Sequence, residues 1–222
     1  MHTQTPRDTI NTEVSPFGAP PGDRRNLRAA DWLYRSKAAS VIWLIARLWL
    51  GYGWLTAGYQ KLWGSEKAVF WNGGGAGVKG FATAGVSGST AGKGAGASYG
   101  WWAAFLHNFV VPNASWIAKL VTVSELVIGV LLILGLFTGL AAVAGLSLNL
   151  VYMFTGSAGV NPAYAIVAVF LILAWRNAGW LGVDRLALPM IGDRFRPGPR
   201  LVRPVDSPPT APTPVPAPAP AS

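Results

Sequence analysis

The chain contains no cysteine and only 2 histidines among its 222 residues. The missing thiols exclude disulfides, thiolate-ligated iron–sulfur or zinc sites and a cysteine nucleophile. The histidines do not make a bis-histidine haem within the chain, so no protein-ligated metal or haem is expected. Charge is scarce as well. Charged side chains make up 12% of the sequence, about half the ~25% of an ordinary soluble domain. Hydrophobic residues make up 51%, and 11 residues are Trp. This composition points away from a soluble enzyme. The net charge of +9 raises the question of nucleic acid. The basic residues stand mostly in the polar ends, however, so the membrane surface is the expected partner and nucleic acid is not.

The ends differ from the middle. Residues 1–38 carry six basic side chains (Arg7, Arg24, Arg25, Arg28, Arg35, Lys37) against four acidic ones, with no apolar run at the N-terminus. A signal peptide is therefore not expected, and the segment reads as a disordered tail. Residues 197–222 hold ten prolines in 26 positions, and Pro-Ala and Pro-Thr repeats of this kind read as extended chain. Three units follow: a polar tail 1–38, a membrane domain 39–188 and a Pro-rich tail 189–222.

Long uncharged runs fill the middle. Leu126 to Trp175 is 50 residues without a charged side chain, whereas one membrane crossing needs about 20 apolar residues. Gly135-Leu-Phe-Thr-Gly139 and Gly156-Ser-Ala-Gly-Val-Asn-Pro162 break the run. In the second breaker Asn161 is placed as an N-cap and Pro162 as the first helical residue. The spacing predicts helices over 39–63, 117–136, 138–156 and 162–180. The fold class is all-α: a four-helix transmembrane bundle. Lys and Arg near the span ends set the orientation. Six basic residues precede the first helix, and the C-terminal segment has another six: Arg176, Arg185, Arg194, Arg196, Arg200 and Arg203. The 64–116 loop has three, Lys67, Lys79 and Lys93. Both termini are expected to be cytoplasmic and the loop external.

That loop is read as flexible. It contains Gly75-Ala-Gly77-Val-Lys-Gly80, formally G-x-G-x-x-G, but a dinucleotide site needs a βαβ unit around it, and none fits here. The stretch Trp101 to Phe109 is aromatic and nearly uncharged, as expected of a segment at or re-entering the membrane interface. His107 within it is a lone imidazole and a poor metal ligand. Asn113-Ala-Ser115 matches a glycosylation sequon, without other signs of a secretory pathway.

Charges inside membrane helices are costly, roughly 2.5–3.5 kcal/mol each on insertion scales, and are functional candidates for that reason. Arg47, Lys61 and Glu125 are three such residues, joined by the neutral Asn149 and Tyr152. On the first helix Arg47, Gly51, Trp54, Gly58 and Lys61 recur at steps of 4, 3, 4 and 3, which makes one stripe with small residues for close helix approach. Thr122, Glu125 and Gly129 share a face of the second helix. Gly145, Asn149, Tyr152 and Gly156 do so on the third. Three such faces are expected to enclose a small polar pocket. Either Arg47 or Lys61 is in reach of Glu125, and the spacing does not choose between them.

Several of these residues carry a resemblance. Arg47-Leu-Trp-Leu-Gly51 with Gly58-Tyr-Gln-Lys61-Leu62, and Glu125-Leu-Val-Ile-Gly129 running on to Gly135-Leu-Phe-Thr138, resemble the first two helices of the DoxX/DoxD family of bacterial membrane proteins. Gly182-Val-Asp184-Arg185-Leu186 is similar to the family's closing motif. The resemblance spans about residues 39–188 and implies a four-helix membrane bundle in the bacterial plasma membrane. It also implies membership of a quinone-linked redox system, such as the membrane subunit of a thiosulfate:quinone oxidoreductase. A non-catalytic anchor or assembly subunit of a redox or oxidative-stress complex is the alternative. On the redox reading the cofactor is a quinone whose carbonyls take hydrogen bonds from Lys61, Arg47, Asn149 or Tyr152. Glu125 relays protons, Lys61 or Lys67 attracts an anionic donor such as thiosulfate, and a protein partner supplies or accepts the electrons. A transporter is less favoured, because no inverted repeat is visible.

Overall fold

A computed structural model of the chain describes residues 32–34, 36–90 and 96–192. The two terminal tails, but for these few residues at their inner ends, lie outside the described residues. The architecture is all-α, with no strand among the described residues. The helices are α1 (Ala39–Leu62), α2 (Lys67–Phe70), α3 (Ala76–Thr90), α4 (Gly100–Phe105), α5 (Ala114–Leu134), α6 (Thr138–Phe154), α7 (Asn161–Leu173), α8 (Trp175–Ala178) and α9 (Asp184–Ile191). A π-helical turn, Leu106–Val110, extends α4. Helices α1 and α5 are long and apolar enough to cross a membrane, and α6 and α7 are shorter apolar helices.

Helices α1, α5 and α6 fall within three residues of their expected ranges, whereas α7 ends seven residues early. Gly135, at φ +65°, ends α5 in the left-handed conformation, which glycine adopts without strain. Helix α7 begins at Asn161 rather than being capped by it. The Asn161 amide donates to the Ser157 carbonyl at 3.2 Å, so it serves the preceding turn and not the helix end. The predicted single helix over 162–180 breaks at Ala174 (φ −94°, ψ 11°) into α7 and the short α8. Helix α9 contains Pro189 and runs to Ile191.

The predicted flexible loop is the main correction. Helices α2, α3 and α4 and the π turn occupy much of 64–116. Glycine weakens a helix by about 1 kcal/mol per residue, but burial overrides that cost here. Val78 packs with Ala114 and Ala118 of α5. Ala82, one turn further on, packs with Ala97 and Leu106. Gly75 has φ +81° and sits against the Ala114 carbonyl, so a side chain is excluded twice over. The glycine-rich run thus turns the chain and seats α3 on α5, and no strand precedes it among the described residues.

Helix α1 packs most extensively on α5, through the small residues of its stripe. A Cβ added at Gly58 would lie 2.8 Å from the Leu126 backbone nitrogen, and one at Gly129 would lie 2.7 Å from Leu55 Cα. The helices therefore meet backbone to backbone. Gly58→Leu is expected to lower the detergent melting temperature by several degrees or prevent folding, because backbone cannot swing aside as a side chain can. Leu at lipid-facing Ile45, which is exposed, is expected to be mild. An unchanged melting temperature for Gly58→Leu would refute this packing.

Candidate functional site

The stripe of α1 faces inward as the spacing predicted: Arg47, Gly51, Trp54 and Gly58 are all buried. Thr122, Glu125 and Gly129 of α5 are buried too. The polar residues do not gather into one pocket, however. They divide among three levels along the bundle.

At one end Lys61 Nζ donates to Glu125 Oε2 at 2.8 Å, and the Tyr152 hydroxyl donates to Glu125 Oε1 at 2.7 Å. Both carboxylate oxygens are thereby engaged, and Glu125 is buried. This settles which cation pairs with Glu125. Lys61 also stands 4.0 Å from Glu66, and its ammonium lies 5.1 Å from the centre of the Phe70 ring, a favourable cation–π distance. Lysine carries three donors, so this head group serves several partners at once.

At the other end Arg47 is buried and donates to two backbone carbonyls, Nη1 to Ala178 and Nη2 to Leu181, each at 3.0 Å. It lies 14 residues from Lys61, about 21 Å along a helix at ~1.5 Å per residue. One ligand head group cannot touch both. Around Arg47 the stretch 182–186 acts as a latch. The Asp184 carboxylate accepts from the backbone nitrogens of Phe137 (2.6 Å) and Thr138 (2.9 Å). It caps the start of α6 from across the bundle, supplying acceptors where a helix leaves N–H groups unpaired. The Asp184 nitrogen donates back to the Gly135 carbonyl at 2.8 Å. Arg47 and Asp184 thus hold the α5–α6 turn, the 178–182 segment and α1 together.

Between these levels Asn149 is fully buried, with no protein hydrogen-bond partner on its amide; the Trp54 indole nitrogen is also unpartnered. Asn149 does not line the cavity beside Lys61. Of the five residues expected to share a site, the structure brings together Lys61, Glu125 and Tyr152. It places Arg47 and Asn149 elsewhere.

Beside the triad lies a cavity of about 690 Å³ whose walls include Lys61, Glu66 and Tyr152. Glu125 stands behind Lys61 and Tyr152. The rest of the lining is mainly apolar and aromatic, including Phe70, Phe81 and Trp102. A hydrogen bond from the Trp102 indole to Thr155 Oγ1 at 3.1 Å fixes one wall. The sequence predicts a small polar pocket; the cavity is large and mainly apolar, with its charged residues, Lys61 and Glu66, together at one end. The Trp101–Phe109 stretch supplies part of the aromatic wall, but Glu66, Phe70 and Phe81 carry no signal as long as 64–116 reads as loop. The repeat Val78, Ala82, Gly85, with Phe81 and Val86 beside it, is the helical signal that would have exposed them. His107 is exposed, its Nδ1 3.0 Å from Asn108 Oδ1. Asn113 bonds within its own turn, to the Phe109 carbonyl and the Trp116 indole.

Four apolar helices, glycine-notched contacts and a buried ion pair beside an apolar cavity describe a helical-bundle membrane protein. The DoxX family model matches residues 42–158, more than half of the chain, and the protein belongs to the DoxX family. The match runs from residue 42, within α1, through α6 and includes the whole triad; α7 to α9 and the 182–186 latch lie beyond it. No curated protein and no solved structure matches the chain.

Proposed function

We propose that the chain is the integral membrane subunit of a quinone-linked redox system in the bacterial plasma membrane, of the thiosulfate:quinone oxidoreductase type. The observation that carries this reading is the cavity: apolar and aromatic over most of its wall, with Lys61 and Tyr152 at one end and Glu125 bonded to both. Its volume and lining suit a quinone ring, which is flat, apolar on its faces and a hydrogen-bond acceptor at its carbonyls.

A bound quinone supplies two-electron, two-proton redox chemistry. The chain's own part is to bind and to move protons. Lys61 Nζ is the donor toward a carbonyl oxygen, and Glu125 fixes its direction. The Tyr152 hydroxyl holds a proton at the opposite carboxylate oxygen. Glu125 exchanges a proton with either neighbour, both being within 2.8 Å, which is hydrogen-bond reach. Glu66, half exposed beside Lys61, is the nearest carboxylate to water. Electrons come from or go to a protein partner. Arg47 and Asn149 take no part here, on grounds of distance for the first and position for the second.

The decisive experiment is purification in mild detergent, followed by extraction and mass spectrometry of bound lipids and proteins. Quinone at near one per chain is expected, with tryptophan fluorescence quenched when quinone is added back. Absence of bound quinone and of quenching would leave the anchor reading, in which the triad only locks α1, α5 and α6.

The orientation belongs to the same proposal: both termini cytoplasmic, α1, α5, α6 and α7 crossing. Single cysteines at Ser89 and Ser207 of this cysteine-free chain test it. An impermeant thiol reagent on intact cells is expected to label position 89 and spare 207; the reverse pattern would invert the topology.

A further inference from the structure

The cavity wall is uneven in exposure. Ala82, Leu106 and Thr155 are buried, whereas Phe105, Phe109, Trp116, Leu120 and Val151 are exposed while lining the same space. Glu66, beside Lys61, is exposed as well and opens the charged end toward water; away from it the cavity has a second mouth, whose exposed residues are apolar. Phe105 stacks on Phe109 with ring centres 5.2 Å apart, and Phe109 meets Trp116 edge-on at 6.3 Å. The π turn that carries Phe109 interrupts the regular helix at this place, as π turns often do at functional sites.

The direction of the mouth follows from α5. Trp116, Leu120, Val123, Val127, Val130 and Leu134 are all exposed and recur at steps of 4, 3, 4, 3 and 4, one stripe; the exposed Lys119 on the same face sets its outer end at headgroup level, where a lysine stem snorkels. On a membrane-crossing helix an exposed apolar stripe is the lipid-facing one. Trp116 and Leu120 belong both to that stripe and to the cavity lining. The mouth opens where the helix faces lipid, and the charged end at Lys61 lies within.

We propose that the cavity is loaded from the bilayer through this mouth, between the 100–110 segment and α5, and that the mouth holds the apolar tail of the same carbonyl-headed ligand. The proposal rests on the quinone reading and adds the route and the tail site. A carbonyl head reaches Lys61, and a long tail leaves past Phe109, Trp116 and Leu120 into lipid.

The test uses the full chain in phosphatidylcholine nanodiscs and two photoreactive decyl-tailed benzoquinones. One carries the reactive group on the ring and the other at the far end of the tail. Peptide mass spectrometry is expected to find the ring probe on residues around Lys61 and Tyr152, and the tail probe on Phe109, Trp116 or Leu120. Leu120→Trp narrows the mouth from its exposed side and is expected to reduce tail labelling about tenfold, the equivalent of losing burial of about two methylenes. Val123→Trp, on the same stripe but off the cavity, is expected to change nothing. If Leu120→Trp fails to fold, the unaltered chain's labelling map decides. Ring labelling with the tail found elsewhere would overturn the mouth and leave the quinone reading standing. No labelling by either probe would overturn both. Equal labelling of these residues by a headless alkyl diazirine would assign the mouth to ordinary acyl chains and overturn the proposal.

Discussion

Lys61→Met is expected to destabilise the bundle by about 3–5 kcal/mol, the usual cost of removing one partner from a buried ion pair. Glu125 is buried, and of its two hydrogen bonds Lys61 supplies the only charge-bearing one. Methionine matches the lysine stem, so packing is nearly kept and the loss is electrostatic. The carboxylate is then left with the Tyr152 hydroxyl alone, in apolar surroundings that disfavour its charge. Adding Glu125→Gln to Lys61→Met removes the stranded charge and is expected to recover most of the loss. Glu125→Gln alone lies between the two. The amide oxygen still accepts from Tyr152, and Lys61 turns toward Glu66, now 4.0 Å away. Detergent melting curves of the four proteins complete a double-mutant cycle. Additive losses would mean that the pair contributes nothing to the fold.

The same set of proteins separates packing from chemistry. A restored fold in Lys61→Met/Glu125→Gln with quinone turnover still abolished assigns the triad a role beyond holding helices. If turnover returned with the fold, the anchor reading would be favoured. The double variant is the informative one because each single change disturbs stability and proton transfer together.

The sequence exposed the inward stripe of α1 because helical periodicity is local: Arg47, Gly51, Trp54, Gly58 and Lys61 fall on one face whatever surrounds them. The boundary between α5 and α6 was legible because Gly135 and the turn after it break any helix. The pairing of Glu125 was not legible, since the rotation and axial offset of α1 against α5 decide between Lys61 and Arg47. Backbone contact at Gly58 and Gly129 fixes that offset. The helices within 64–116 were hidden for another reason. Intrinsic preference reads Gly-rich chain as loop, and only burial of Val78, Ala82 and Leu106 makes it helical. The cavity is built largely from that segment and was therefore invisible. Asp184 was visible as a motif residue. Its capping of α6, 46 residues away, is a tertiary fact without a local signal.

Arg47→Met is the second large effect, and its cause is distinct. The buried Ala178 carbonyl and the partly buried Leu181 carbonyl lose charged donors, and hydrogen bonds to charged groups are worth about 1.5–3 kcal/mol each. The latch that holds 178–182 against α1 should loosen, with about 3–5 kcal/mol lost in total. A second substitution tests the geometry. A Cβ on Gly135 would fall on the Arg47 guanidinium, and the nearest atoms to it are all Arg47's. Gly135→Ala is therefore expected to be severe in the unaltered chain, for steric reasons added to about 1 kcal/mol of left-handed strain. In the Arg47→Met background the flexible methionine can yield, and only the strain remains. The double variant should thus be more stable than the sum of the two single losses predicts, by about 1–3 kcal/mol of coupling. Melting temperatures in one detergent supply all four corners. Strict additivity would mean that Gly135 is required only for its backbone angle, and that the guanidinium does not fill the space the structure gives it.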